Sequence, residues 1–129
     1  MNVLDENIQE DQRQVLRKGR ISVKQVGFDL FDKGIKDEHL LDLLRGTKRI
    51  TFFTRDRRFY DVRFSHPHYA LVYLEVEQDD VATFARRLLR HPQFDTHPKR
   101  TGAVIRVTRS GIFLRRFRQQ REAQVSWID

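Results

Sequence analysis

Short strand-like apolar runs in this chain alternate with helix-prone stretches, and that alternation restricts it to very few architectures. Met1-Asn2-Val3-Leu4 reads as a short buried strand, and Ile50-Thr51-Phe52-Phe53-Thr54 reads the same way. Tyr69 to Val76 is a third β-rich run, apolar at every position from Ala70 to Leu74. Ile21 to Val26 alternates like a strand. Between these, Gln9 to Arg20 is polar and helix-prone, with Val15 and Leu16 as its apolar contacts and Gly19 near its end. Gly27 to Lys36 reads as a loop. Asp37 to Gly46 has acids in its first turn, paired leucines and a terminal glycine, which predicts a helix. Asp79 to Leu89 places Val81, Phe84, Ala85, Leu88 and Leu89 at helical spacing. Gly102 to Thr108 and Ile112 to Phe117 flank Arg109-Ser110-Gly111, a hairpin turn. The expectation is an α/β fold with a mainly parallel central sheet, helices on both faces and a C-terminal antiparallel hairpin. The tail from Gln119 to Asp129 is open: Val125, Trp127 and Ile128 either cap this core or meet a partner.

A chain of 129 residues suits a single domain over residues 1–129, with a core of useful size. Its hydrophobic share of 39% and its 10 phenylalanines favour folding over disorder. The absence of cysteine excludes disulfides, thiolate nucleophiles and cysteine-based zinc sites. No apolar run approaches the roughly 20 residues that span a bilayer, and the first residues lack a signal-peptide pattern, so a cytoplasmic protein is expected. The net charge of +7 is uneven: residues 1–40 sum to −1, 41–98 to +2 and 99–129 to +6. The basic C-terminal part fits an anionic polymer held there and processed near the acidic part, or simply a solvated surface.

Acids stand where strands end. Asp5 follows the first run, with Glu6 and Asn7 beside it, and Asp56 follows Thr54-Arg55 after the run at 50–54. In an open parallel sheet, ligands bind in the crevice beyond the carboxyl ends of the strands. Asp37 at a helix start is a third acid able to reach them. Mg²⁺ and Mn²⁺ prefer oxygen ligands, so Asp5, Asp37 and Asp56 form a candidate hard-cation set, with Glu38 and Asp61 as further donors. Glu6, Asn7 and Thr54 would support these ligands. Each acid also has a plain structural reading. Asp37 and Glu38 complement a helix dipole, Asp5 can cap the segment from Ile8, and Asp56 can cap a turn through Phe59. The five histidines show no metal-ligand spacing, and His66-Pro67-His68 reads as a loop.

At these residues the chain resembles the PIN-like nucleases of the small bacterial toxin type found in toxin–antitoxin pairs. The matching pieces are Val3-Leu4-Asp5-Glu6-Asn7, Lys36-Asp37-Glu38-His39-Leu40-Leu41 and Thr54-Arg55-Asp56-Arg57-Arg58-Phe59. The resemblance implies a PIN-like three-layer α/β/α domain and a metal-dependent endoribonuclease that hydrolyses RNA phosphodiesters with metal-activated water. It further implies Mg²⁺ or Mn²⁺ on Asp5, Asp37 and Asp56, and neutralisation by a small cognate DNA-binding antitoxin. A homodimer or a hetero-oligomer with that antitoxin is compatible with it. One position departs from the pattern: the family commonly has a second Asp two residues beyond the first, where this chain has Arg58. Asp61 could substitute, or the site is one ligand short.

Arg55, Arg57 and Arg58 surround the acids and can pair with a phosphate or neutralise the acids in place of a metal. Arg115, Arg116 and Arg118 alternate with Phe113 and Phe117 near the end. Phe113 and Phe117 are expected in the core, with the arginines on a solvated or antitoxin-facing edge or against RNA. Two other readings stay open. One is a catalytically degenerate PIN-like binding protein, suggested by Arg58. The other is a receiver-type signalling domain, in which Asp56 would accept a phosphoryl group and Asp37 would have no role.

Overall fold

The apolar runs join one sheet in the computed structural model of the chain, which describes residues 1–128. Strands β1 (Asn2–Leu4), β2 (Val23–Gln25), β3 (Ile50–Thr54), β4 (Tyr69–Leu74) and β5 (Ala103–Thr108) run parallel. Strands β6 (Gly111–Arg116) and β7 (Ala123–Val125) add antiparallel pairings. The spatial order is β2-β1-β3-β4-β5-β6-β7. The fold is therefore α/β, with a mixed seven-stranded sheet that is mostly parallel.

Helices lie on both faces, which explains why β3 and β4 are buried at every residue. Successive side chains of a strand point to opposite faces. Leu4, Phe53, Val72 and Ile105 thus pack under α1 (Glu10–Lys18) and α3 (Val81–Arg90), through Leu16, Val81, Phe84 and Leu88. Their neighbours Val3, Phe52, Leu71 and Val104 pack under α2 (Asp37–Gly46), through Leu40, Leu41 and Leu44. A short fourth helix, α4 (His97–Arg100), leads into β5.

Helix α1 differs from expectation on its inner face. Val15 is 52% exposed, and the residue buried one turn before Leu16 is Gln12. Positions 12 and 16 share a helix face, whereas 15 is turned about 100° away from 16. Gln12 is satisfied there because its Oε1 accepts the Ala82 N–H at 2.9 Å, one of the free donors at the start of α3.

The segment from β3 to β4 crosses the α2 face through two 3-10 turns, Arg57–Phe59 and Val62–Phe64. Phe59 closes it onto the core, edge-on to Phe52 with ring centres 5.3 Å apart. Tyr60 donates to Glu122 Oε2 at 2.6 Å, tying this crossover to the tail. Burial, followed by that carboxylate, pushes the Tyr60 phenol up to about 12.

Val125 and Trp127 of the tail pack against the core, whereas Ile128 is 69% exposed. β7 pairs with β6, and Trp127 packs on Phe84 while its Nε1 donates to the Thr108 carbonyl at 2.8 Å. Asp129, the last residue of that tail, lies outside the described residues. On β6, the buried side chains are Ile112 and Leu114; Phe113, expected in the core, is only half-buried, beneath Arg106 at 4.2 Å.

Two adjacent positions of α1 test this assignment of its inner face. Leu16→Ala should cost about 3 kcal/mol, within the usual range for a buried leucine, and Val15→Ala less than about 0.5 kcal/mol. Urea unfolding of both variants checks this; equal losses would mean that the helix is rotated.

Candidate active site

The chain runs from β1 to β2 on one side, then crosses to β3 on the other side of β1. This reversal makes the C-terminal ends of β1 and β3 the topological switch point, where the loops diverge and leave a crevice. A crevice of about 230 Å³ lies there, lined by Asp5, Glu6, Asn7, Asp37, Asp56 and Arg58 among others. Asp5, Asp37 and Asp56, far apart in sequence, thus line one cavity.

Backbone pairing positions Asp5. Its N–H continues the β1–β3 ladder by donating to the Phe53 carbonyl at 2.8 Å. Its Oδ2 accepts from the Thr54 hydroxyl at 2.6 Å, and that same hydroxyl oxygen accepts the Asp56 N–H at 3.0 Å. Thr54, fully buried, therefore links the two acids through one oxygen. Burial raises the Asp5 carboxyl above its ordinary value; the Thr54 bond opposes this, and the charges of Asp56 and Asp37 add to it.

Asp56 behaves oppositely. It caps the 3-10 turn at Arg57–Phe59 by accepting the Arg58 N–H at 3.0 Å. The Arg58 guanidinium folds back onto both of its oxygens, the shortest contact being 2.7 Å, and holds the carboxyl below its usual range. Asp37 opens α2, and its Oδ2 lies 3.4 Å from the same guanidinium nitrogen. Both plain readings of these two acids hold alongside their place in the crevice. Asp5 caps no helix: α1 begins at Glu10 after Gln9.

The supporting residues divide. Glu6 Oε1 accepts the Gly34 N–H at 2.8 Å and so fastens the 27–35 loop over the crevice. Asn7 lies exposed at its mouth. Glu38 is exposed on α2 and is not among the lining residues. Asp61 is also apart from the crevice: it caps the second 3-10 turn, is engaged by Arg63 at 2.6 Å, and does not replace the acid absent at 58.

The arginines divide as well. Arg55 lines an adjoining part of the crevice with Asp5, Asn7 and Asp56, its Nε donating to the Val76 carbonyl at 3.3 Å, and Arg57 is exposed beside it. Arg116 pairs with Ala103 at the start of β5, so Arg115 and Arg116 stand at the opposite end of the sheet from the acids. Arg118, beyond β6, lies past that same end.

A residue with no acidic or basic signature completes the site. Gln25, fully buried on β2, donates through Nε2 to the carbonyls of Ile8 at 2.6 Å, Asp5 at 3.1 Å and Glu6 at 3.3 Å. It holds the loop that carries Asp5. The available signal was a glutamine at an inward position of an alternating strand.

As donors these residues suit a hard cation: carboxylate oxygens around one cavity, one of them desolvated and raised by its negative neighbours. As arranged they do not converge, since among the described residues no three acidic or histidine side chains form a group able to hold a metal ion. No helix of the described residues is long and apolar enough to cross a membrane. No protein-family model, curated protein or solved structure matches the chain.

The electrostatics of Asp5 sets a pH test. A carboxyl raised in the fold favours the folded state only while protonated, so its contribution is present below about pH 4, the ordinary carboxyl range, and lost as pH rises through its elevated value. Asp5→Asn should therefore melt about 3 °C above wild type at pH 7, with the gap closing toward pH 3. Melting curves across that range check it; an unchanged gap would mean that charge on Asp5 is not the cause.

Proposed function

We propose that this chain is a PIN-like, three-layer α/β/α ribonuclease that works with Mg²⁺ or Mn²⁺ in the cytoplasm as the toxin of a toxin–antitoxin pair. The carrying observation is that Asp5, Asp37 and Asp56 line a single crevice at the β1/β3 switch point. The strand order alone does not choose this reading, because flavodoxin-like and receiver folds share it over the first five strands. Asp37, arriving from α2, favours a three-carboxylate site over a phosphoacceptor site.

In this reading Asp5, Asp37 and Asp56 hold the cation, which when bound supplies Lewis acidity and lowers the pKa of water. The Thr54 hydroxyl keeps Asp5 aimed into the crevice, and Gln25 fixes the loop behind it. Arg55 and Arg57 offer cationic forks to the RNA phosphates at the mouth. A small DNA-binding antitoxin would be the partner, as the resemblance implies. A second reading follows from Arg58, which engages two of the three acids: a PIN-like protein that binds RNA without cutting it.

Cleavage of a mixed-sequence RNA with Mn²⁺, Mg²⁺ or EDTA tests the proposal. Metal-dependent cutting should fall at least about 100-fold in Asp5→Asn and Asp56→Asn. RNA binding with no cutting by the folded wild type would favour the second reading. The paired variant Arg55→Ala/Arg57→Ala should weaken RNA binding and lower its salt dependence by about one to two phosphate contacts, while Arg115→Ala/Arg116→Ala changes little. Filter binding across salt concentrations separates them; the reverse ranking would move the RNA path to β6.

A further inference from the structure

The crevice already contains a cation. Arg58 Nε lies 3.1 and 3.0 Å from the two oxygens of Asp56, and its Nη2 lies 2.7 Å from one of them and 3.4 Å from Asp37. The chain supplies its own comparison five residues on, at Asp61-Val62-Arg63. There Arg63 folds back in the same way, with Nε at 3.1 Å from both Asp61 oxygens and Nη2 at 2.6 Å. The fold-back is thus a local habit of Asp-x-Arg at a 3-10 turn. The contact to a second, distant carboxylate is not: among the described residues Arg63 pairs with Asp61 alone, whereas Arg58 also reaches Asp37.

We infer that Arg58 is a built-in competitor for the divalent cation, its guanidinium drawing Asp56 and Asp37 onto itself so that the three carboxylates receive a metal only when Arg58 turns out. The inference rests on the metal-dependent reading proposed above. It accounts for acids that share a cavity without converging on a common point. Departure of the side chain is feasible: it is 75% exposed, and among the described residues its guanidinium pairs with these acids. Exposed pairs of this kind are individually weak, so a doubly charged ion facing three carboxylates can displace one guanidinium. Arg58 thereby sets how much free cation the protein needs, and keeps the crevice neutralised below that level.

The test is calorimetric titration of the metal-stripped protein with Mn²⁺, which reads affinity without RNA or turnover. Arg58→Ala should bind about tenfold more tightly than wild type, the combined effect of one lost exposed pair and one removed positive charge. Arg58→Lys, which keeps the charge and loses the fork, should lie nearer wild type. Adding Asp5→Asn to Arg58→Ala should remove the gain, which assigns it to this crevice. Equal affinity in wild type and Arg58→Ala, with binding lost in Asp5→Asn, would overturn the role of Arg58 and leave the metal-dependent nuclease standing. No Mn²⁺ binding by any variant, all folded by circular dichroism, would overturn both.

Discussion

β1 is only three residues long, yet it is paired on both edges, with β2 on one side and β3 on the other. The arrangement of the site depends on that double pairing. It places Asp5 one residue beyond the strand, still in the β1–β3 ladder, and separates the loops that leave β1 and β3 toward opposite sides. So short a strand is stable there because Val3 and Leu4 are buried on opposite faces, each under a different helix layer. The loop after it has no regular structure of its own. Gln25 compensates by satisfying three of its carbonyls, so a neutral side chain holds a charged one in place.

Charge in the crevice is organised at two depths. Asp5 is deep, desolvated and raised, with one hydroxyl as its side-chain donor. Asp56 and Asp37 are shallower and share the Arg58 guanidinium. Burial disfavours ionisation of the deep carboxylate. Arg58 pairs with two of the acids while its own side chain stays 75% exposed. At the same Asp-x-Arg turn formed by Asp61 and Arg63, the guanidinium pairs with no second carboxylate among the described residues.

Among the described residues, no basic side chain of the C-terminal part lines the crevice. The excess charge of residues 99–129 is spread over α4, β5, the β5–β6 turn, β6 and the segment to β7, with Arg106 laid over Phe113 and paired with Glu75. β6 runs antiparallel to its neighbour β5, so its terminal arginines stand away from the acids. The large net charge is thus compatible with the proposal that Arg55 and Arg57, beside the crevice, are the residues that meet RNA.

Much of the fold was legible in the sequence because its signals are local. The β-rich runs at 50–54 and 69–76, the spacing from Val81 to Leu89, and the turn at Arg109-Ser110-Gly111 each specify an element within one window. The acids at strand ends were legible for the same reason, and so were the first-turn acid Asp37 and the cap at Asp56. Only tertiary structure could decide which acids meet. Asp37 enters the crevice because α2 packs beneath Val3 and Phe52, while Asp61, nearer to Asp56 in sequence, is carried off by its own 3-10 turn. The inward turn of Gln12 in place of Val15, the bracing by Gln25 and the addition of β7 also depend on partners distant along the chain. Arg58 combines both kinds of information. Its hold on Asp56 is written within a single Asp-x-Arg turn, and its hold on Asp37 exists only because the sheet brings α2 alongside.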